Sequence, residues 1–219
     1  MTENQARDEI CRVGRSLFDR GYVHGSAGNI SLRLADGFLI TPTDACLGFL
    51  DPARLARLDS EGRHVGGDRP SKTITLHTTI YQAALRFDPA TACVIHTHST
   101  HSVALSLAAE GPELLPALTP YFVMKVGRVP LLPYTRPGSP EAAGAVARAI
   151  ALGGEEGRPL RAVMLARLGP NVWHASPAAA MAVLEELEET ARLALIAPAA
   201  APLGEEQIDE LRREFGARW

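Results

Sequence analysis

The chain has 219 residues, with 22 Lys and Arg against 25 Asp and Glu, for a formal net charge of −3. That balance offers no broad basic field for nucleic acid, and no apolar run approaches the roughly 18 residues of a membrane span. The polar start MTENQARDEI does not read as a signal peptide, and Cys11, Cys46 and Cys93 are widely spaced, as in reduced thiols of a cytoplasmic protein.

Residues 5–20 carry Ile10, Val13 and Leu17 at helical spacing, and Gly21 suits the C-terminal cap. GSAGNISLRL, from Gly25 to Leu34, is a glycine-bearing turn feeding an alternating strand. Such a turn can aim backbone N–H groups at an anion, and Asn29 adds an amide. Turns of this kind before strands are commonplace, so the motif alone identifies nothing. Asp36-Gly37 predicts a hairpin with Phe38–Thr41 returning, and the polar turn Thr41-Pro42-Thr43-Asp44 closes it. A short helical segment at Asp51-Pro52 leads through Leu55 and Leu58 into a second hairpin around Glu61-Gly62. The turn Asp68–Thr73 then opens a helix over 74–85, with Ser71 as its expected N-cap and a first turn that favours anions. His77 and Tyr81 share one face of it and read as packing or supporting groups.

The centre of the chain is ACVIHTHSTHSV, residues 92–103. An apolar strand runs into His96 and His98, and alternate strand residues share a face, so two imidazoles could grip one metal ion. The plainer alternative is a pair of hydrogen-bonded polar residues at a strand end. Val103, Ala104 and Leu107 predict the inner face of a following helix, with His101 in its first turn, as a site, solvated or capping residue. One or two short strands are expected, at 122–126 and 129–132, and proline inside such runs argues for a sheet edge. Lys125, Arg128 and Arg136 are the notable cations there. Ser139-Pro140 opens a helix to about residue 152, 162–165 is a strand, Leu168-Gly169-Pro170 turns, and 171–174 returns. The helix from Ser176 to about Ile196 carries Leu184, Leu187, Ala191 and Leu195 inward, with Glu185, Glu186, Glu188 and Glu189 as its solvated face. Residues 197–219 read as a linker and an amphipathic helix with Ile208, Leu211 and Phe215, suited to docking on a neighbour. The sum is one α/β domain over 1–219: a largely antiparallel central sheet covered by helices.

GSAGNIS, TPTD, RPSK, Leu76-His77, HTHSTH, YFVMKVGRVPLLPYTRPGS and the LGP turn occur here in one order. In that order they resemble the class II aldolase/adducin family end to end. SLFDRG, LDPARLARLD, Met124–Gly127 and EELEETARLAL are most similar to its 3-oxo-tetronate 4-phosphate decarboxylase branch; L-fuculose-1-phosphate aldolase is another member. The resemblance implies an αβα fold and a homotetramer with active sites at subunit interfaces. It also implies a divalent metal, usually zinc, that polarises a carbonyl and stabilises an enediolate. Carried over by position, Gly28, Asn29, Thr43, Asp44, Ser71 and Lys72 form the phosphate pocket, and His96 and His98 hold the metal. The sequence departs from the family at three positions. Asp44 stands where Gly or Asn is usual. Thr73 takes the place of the acid/base glutamate and cannot titrate near neutral pH. Leu168 takes the place of the third metal histidine and has no lone pair to give. His174, His101 or a carboxylate such as Asp44 are the candidate replacements.

Two functions follow. One is a metal-dependent lyase on a small phosphorylated keto acid or keto sugar, by decarboxylation or aldol cleavage. Tyr121, Tyr134 or water would serve as proton donor, and Lys125 or Arg136 would hold the substrate carboxylate. The other is a repurposed member that binds a phosphorylated ligand without metal chemistry.

Overall fold

The computed structural model describes residues 1–219. Helix α1 (Glu3–Asp19) is closed at its start by a capping box between Thr2 and Gln5, and Gly21 takes the left-handed conformation just past its end. Four antiparallel strands follow: β1 (Asn29–Leu34), β2 (Gly37–Ile40), β3 (Ala56–Asp59) and β4 (His64–Gly66). Helix α2 (Ile74–Ala84) leads to the central strand β5 (Cys93–His96), and α3 (Thr100–Ala108) follows it. After β6 (Leu131–Leu132) come α4 (Pro140–Glu155), β7 (Ala162–Leu165), β8 (Gly169–His174), α5 (Pro177–Ile196) and α6 (Glu205–Phe215).

The strands form one sheet in the order β4-β3-β2-β1-β5-β8-β7-β6, in which only β6–β7 is parallel. Alternation along β5 divides the core. Cys93 and Ile95 face a large apolar layer built by α1 and α5, while Val94 faces α2 and α4 with Ile80, Tyr81, Val146, Val163 and Trp173. The chain is therefore a single α/β domain with helices on both faces of its sheet.

Several local expectations change. Residues Phe122–Val126 form one π-helical turn rather than a strand; Phe122, Val123 and Val126 are buried, a helical spacing that a short apolar run hides. Helix α3 turns Ser102 and Ser106 inward and leaves Leu107 exposed. Ser71 lies ahead of α2 without capping it: its hydroxyl meets that of Thr73 at 2.9 Å. Leu195 is exposed.

Glu188 is not solvated. It is buried on α5 and accepts from the backbone N–H groups of His101 (2.7 Å) and Ser102 (2.9 Å) and from Ser102 Oγ (2.6 Å). A carboxylate on a neighbouring helix thus caps α3, whose own Ser99 makes no cap bond. The C-terminal helix docks on its own chain. Ile208 and Leu211 are buried, and the Trp219 ring meets Phe122 edge-on at 5.7 Å, while Phe215 stays exposed.

Trp219→Ala should lower unfolding stability by about 2–4 kcal/mol, because it removes a largely buried indole from the 122–126 turn. Urea unfolding measures this, and a wild-type midpoint would show that the C-terminal segment does not support the core.

Candidate active site

Three polar turns meet at the end of the sheet where β5 stops. Gly28, at φ +84°, lets the first turn press on β5: a Cβ there would stand 2.9 Å from His96 O. Thr41 ties the second turn to β1, with Ile30 N–H donating to its Oγ1 (3.2 Å) and its own N–H donating to Ile30 O (3.0 Å). Ser71 N–H donates to Thr41 O (3.2 Å) and Thr43 N–H to Arg69 O (3.0 Å), which laces the second turn to the third. Gly28, Asn29, Thr43, Asp44, Ser71 and Lys72 therefore lie on turns tied to one sheet end. Asp44 adopts φ +57°, a conformation that Gly, Asn and Asp enter most readily, and its side chain is exposed. Thr73 is half-buried with its hydroxyl on Ser71, so no carboxylate stands at that position.

The histidine pair lies at the same end. His96 and His98 have ring centroids 5.0 Å apart. His96 Nδ1 donates to Pro170 O at 2.9 Å, which fixes the neutral tautomer with the lone pair on Nε2. Burial, then His98, pushes the His96 pKa down to about 4; burial, then His24, lowers that of His98. His77 is completely buried and its pKa falls to about 3, through burial and then His96. Each imidazole thus acts on the next in a file from buried His77 through His96 and His98 to exposed His24.

Strand register adds a polar row. Asn29 on β1 and Asn171 on β8 both stand directly opposite His96, so all three side chains share the α2 face. Ser31, two residues along β1, is paired: His77 Nδ1 meets its Oγ at 2.7 Å and Tyr81 Oη at 2.8 Å. By contrast, Asn29 Oδ1, His77 Nε2 and both amide atoms of Asn171 are buried without a partner. An unsatisfied buried polar group costs about 1–3 kcal/mol, so this row is built to meet something.

Two neutral imidazoles beside unpartnered nitrogen and oxygen atoms fit a divalent cation in donor chemistry. The third imidazole does not materialise. Gly169, at φ +149°, lies against the His96–His98 backbone, its Cβ position 1.9 Å from Thr97 O and 3.2 Å from His98 Cα. That contact sets the turn that carries Leu168, whose side chain packs on the α2/α4 core. His174 does not replace it: it pairs with Cys93, at the other end of β5 and on the other face. His101 does not either: it sits in the first turn of α3 with its Nδ1 on Glu188 Oε1 at 2.8 Å, and it forms no cluster with His96 and His98. No three His, Cys, Asp or Glu side chains stand close enough together to hold a metal ion.

Tyr121, Tyr134, Lys125 and Arg136 are all exposed and are not drawn to the histidine pair within this chain. Lys125 instead lines a small hollow with Arg161 and Arg218. Sequence reasoning missed Asn171 and His24. Nothing local marks Asn171, whose meaning comes from the β5–β8 register; His24 was visible only as a histidine directly ahead of the first glycine turn.

The Class II Aldolase and Adducin N-terminal domain pattern matches residues 8–195. The chain belongs to this family. It is 51% identical to a 3-oxo-tetronate 4-phosphate decarboxylase of Cupriavidus necator, over 100% of this chain and 99% of that one. The Escherichia coli K12 protein of the same name is 43% identical, over 89% of this chain and 88% of that one. Among solved structures, YgbL from Klebsiella pneumoniae superposes with a TM-score of 0.85 at 41% identity, covering 97% of this chain and 100% of that one. An L-fuculose 1-phosphate aldolase, at 22% identity and a TM-score of 0.78 over 97% and 96% of the two chains, shares the fold.

The depressed histidines set a sign for acid stability. Unfolded histidines begin to protonate near pH 6.5, whereas His96 and His77 stay neutral in the fold down to about pH 4 and about pH 3. The unfolded state therefore binds more protons in that window. Metal-free protein should melt at progressively lower temperature as pH falls from about 6.5 toward 4. His77→Gln should flatten the dependence, and an unchanged slope in a melting series would mean that His77 titrates normally.

Proposed function

We propose that the chain is a lyase that decarboxylates a 3-oxo-tetronate 4-phosphate or a close phosphorylated 3-oxo sugar acid. The observation that carries this reading is the convergence of the three polar turns on the sheet end that bears His96 and His98. The names of the full-length relatives supply the substrate class.

The chemistry suits the residues present. A 3-oxo acid already carries its electron sink, so loss of C1 as carbon dioxide leaves an enediolate without prior proton removal. Aldol cleavage must first deprotonate a hydroxyl, and Thr73 supplies no base for that. A bound divalent cation would supply the electrophile at the ketone oxygen. His96 and His98 would hold it, their neutral tautomers being what ligation requires. Backbone N–H groups near Gly28, with Asn29, Thr43, Ser71 and Lys72, grip the phosphate and anchor the substrate by the end that does not react. Protonation at C2 then gives a three-carbon ketose phosphate, with Tyr121, Tyr134 or water as donor and Lys125 or Arg136 on the departing carboxylate. These four side chains are exposed, and a homotetramer in which they reach a neighbouring subunit's site is part of the same reading. Such an enzyme of small-molecule metabolism is proposed to work in the cytoplasm, where Cys11, Cys46 and Cys93 stay free.

Thr73 and Leu168 favour one competing reading: a protein that keeps the anion turns and binds a phosphorylated ligand without metal or turnover. Release of carbon dioxide from phosphorylated 3-oxo acids by metal-supplemented protein, abolished by chelation and reduced at least about 100-fold in His96→Ala, is the expected result. Ligand binding unaffected by chelator, with no turnover on any substrate of the panel, would establish the competing reading.

A further inference from the structure

The row that flanks His96 is unequal on its two sides. Alternation of the ladder bonds decides which neighbour is nearer. Thr97 N–H donates to Pro170 O, which makes Thr97–Pro170 the hydrogen-bonded pair and leaves His96–Asn171 the non-hydrogen-bonded one. In such pairs the Cα atoms approach to about 4.5 Å. On the β1 side Arg33 N–H donates to Ala92 O, so Asn29–His96 falls on the wider type, about 5.5 Å. Asn171 is therefore the closest cross-strand neighbour of His96. It is fully buried, neither its oxygen nor its nitrogen has a partner, and unlike Asn29 it belongs to no anion turn.

Leucine in its place would suit the apolar layer formed nearby by Val94, Val163 and Trp173. A carboxamide there gains nothing from packing and loses its solvation. It also stands on the strand whose preceding turn carries Leu168, a side chain with no lone pair to give.

We propose that Asn171 completes the His96/His98 pair as an oxygen donor to a divalent cation. The inference deepens the metal-dependent reading of this site and rests on it for the class of ligand. The resulting set has two imidazole nitrogens and one carboxamide oxygen, with substrate or water left to fill the rest. It is neutral and harder than a set of three imidazoles, and it shifts preference from zinc toward the oxygen-seeking ions such as manganese. The oxygen of an amide serves here because Asn can turn its Oδ1 toward the ion with no ionised group left buried when the ion leaves.

Titration of metal-free wild type, Asn171→Leu and Asn171→Asp with Co²⁺, Mn²⁺ and Zn²⁺ tests this, read by the visible absorption of cobalt and by competition with a chromophoric chelator. Asn171→Leu should bind Co²⁺ and Mn²⁺ about 10-fold more weakly or worse, while its metal-free melting point holds or rises. Asn171→Asp should bind more tightly, and its melting point should climb further on adding Mn²⁺ than that of wild type. The proposal is overturned if wild type binds none of the three ions, or if Asn171→Leu binds them as wild type does. An Asn171→Asp melting point that ignores Mn²⁺, or cobalt binding lost only in His24→Ala, overturns it as well. Cobalt affinity that depends on Asn171 in a protein with no turnover would leave this inference standing and reject the lyase reading. Chelator-sensitive turnover with affinity independent of Asn171 would do the reverse.

Discussion

Strand β5 is paired on both edges and packed on both faces, and the site depends on where it stops. Its antiparallel neighbours set Asn29 and Asn171 against His96, and its last residues carry the chain into Thr97 and His98. A one-residue slip in either ladder would send His96 into the α1/α5 layer and bring Ile95 into the polar row. Two devices hold the register. Gly28 allows the first polar turn to rest on His96 O, and Gly169 allows the β7–β8 turn to rest on Thr97 O. Any side chain at Gly169 would drive the strands apart, so this glycine sets both the path of the Thr97 backbone and the turn that carries Leu168.

The interior near that end is less satisfied than the rest of the fold. Ser31, Tyr81 and one nitrogen of His77 form a closed set of hydrogen bonds, and Glu188 meets four donors at the start of α3. Those groups are structural, and their bonds are complete. The unpartnered atoms of Asn29, His77 and Asn171 gather around His96 instead. A chain selected only for stability would have replaced them with carbon, since apolar residues of equal volume avoid the desolvation entirely. Asn29 and Asn171 on the strands beside His96, with His77 facing them from α2, form a cluster that apolar packing alone does not explain.

The fold was largely legible because period-2 alternation, glycine turns and capping residues each mark an element locally. Residues 122–126 misled because five apolar-rich residues satisfy both a strand and one helical turn, and only the burial of Val123 beside Phe122 and Val126, with Met124 less covered, distinguishes them. Glu188 misled for a different reason. Its neighbours Glu185, Glu186 and Glu189 suggest a charged face, and the α3 N-terminus that makes burial affordable lies some eighty residues earlier in the chain. The histidine pair was legible as an i, i+2 repeat. Asn171 was not, because a lone amide in a strand acquires meaning only from the residue opposite.

The departures at Thr73 and Leu168 gain a common sense from the chemistry. A carboxylate base and a third imidazole serve a reaction that begins by pulling a proton from a hydroxyl, where strong polarisation and a nearby base act together. A 3-oxo acid needs neither a base to begin nor the strongest Lewis acid, because carbon dioxide departs with the ketone already placed to receive the electron pair. What it does need is a firm hold on the remote phosphate, so that binding energy orients the scissile bond. The turns at Gly28, Thr41–Asp44 and Ser71 are interlocked, whereas Thr73 and Leu168 bring neither a carboxylate nor an imidazole. On the proposed decarboxylase reading, Thr73 and Leu168 remove groups that the first step does not use, and the interlocked turns keep the groups that it does.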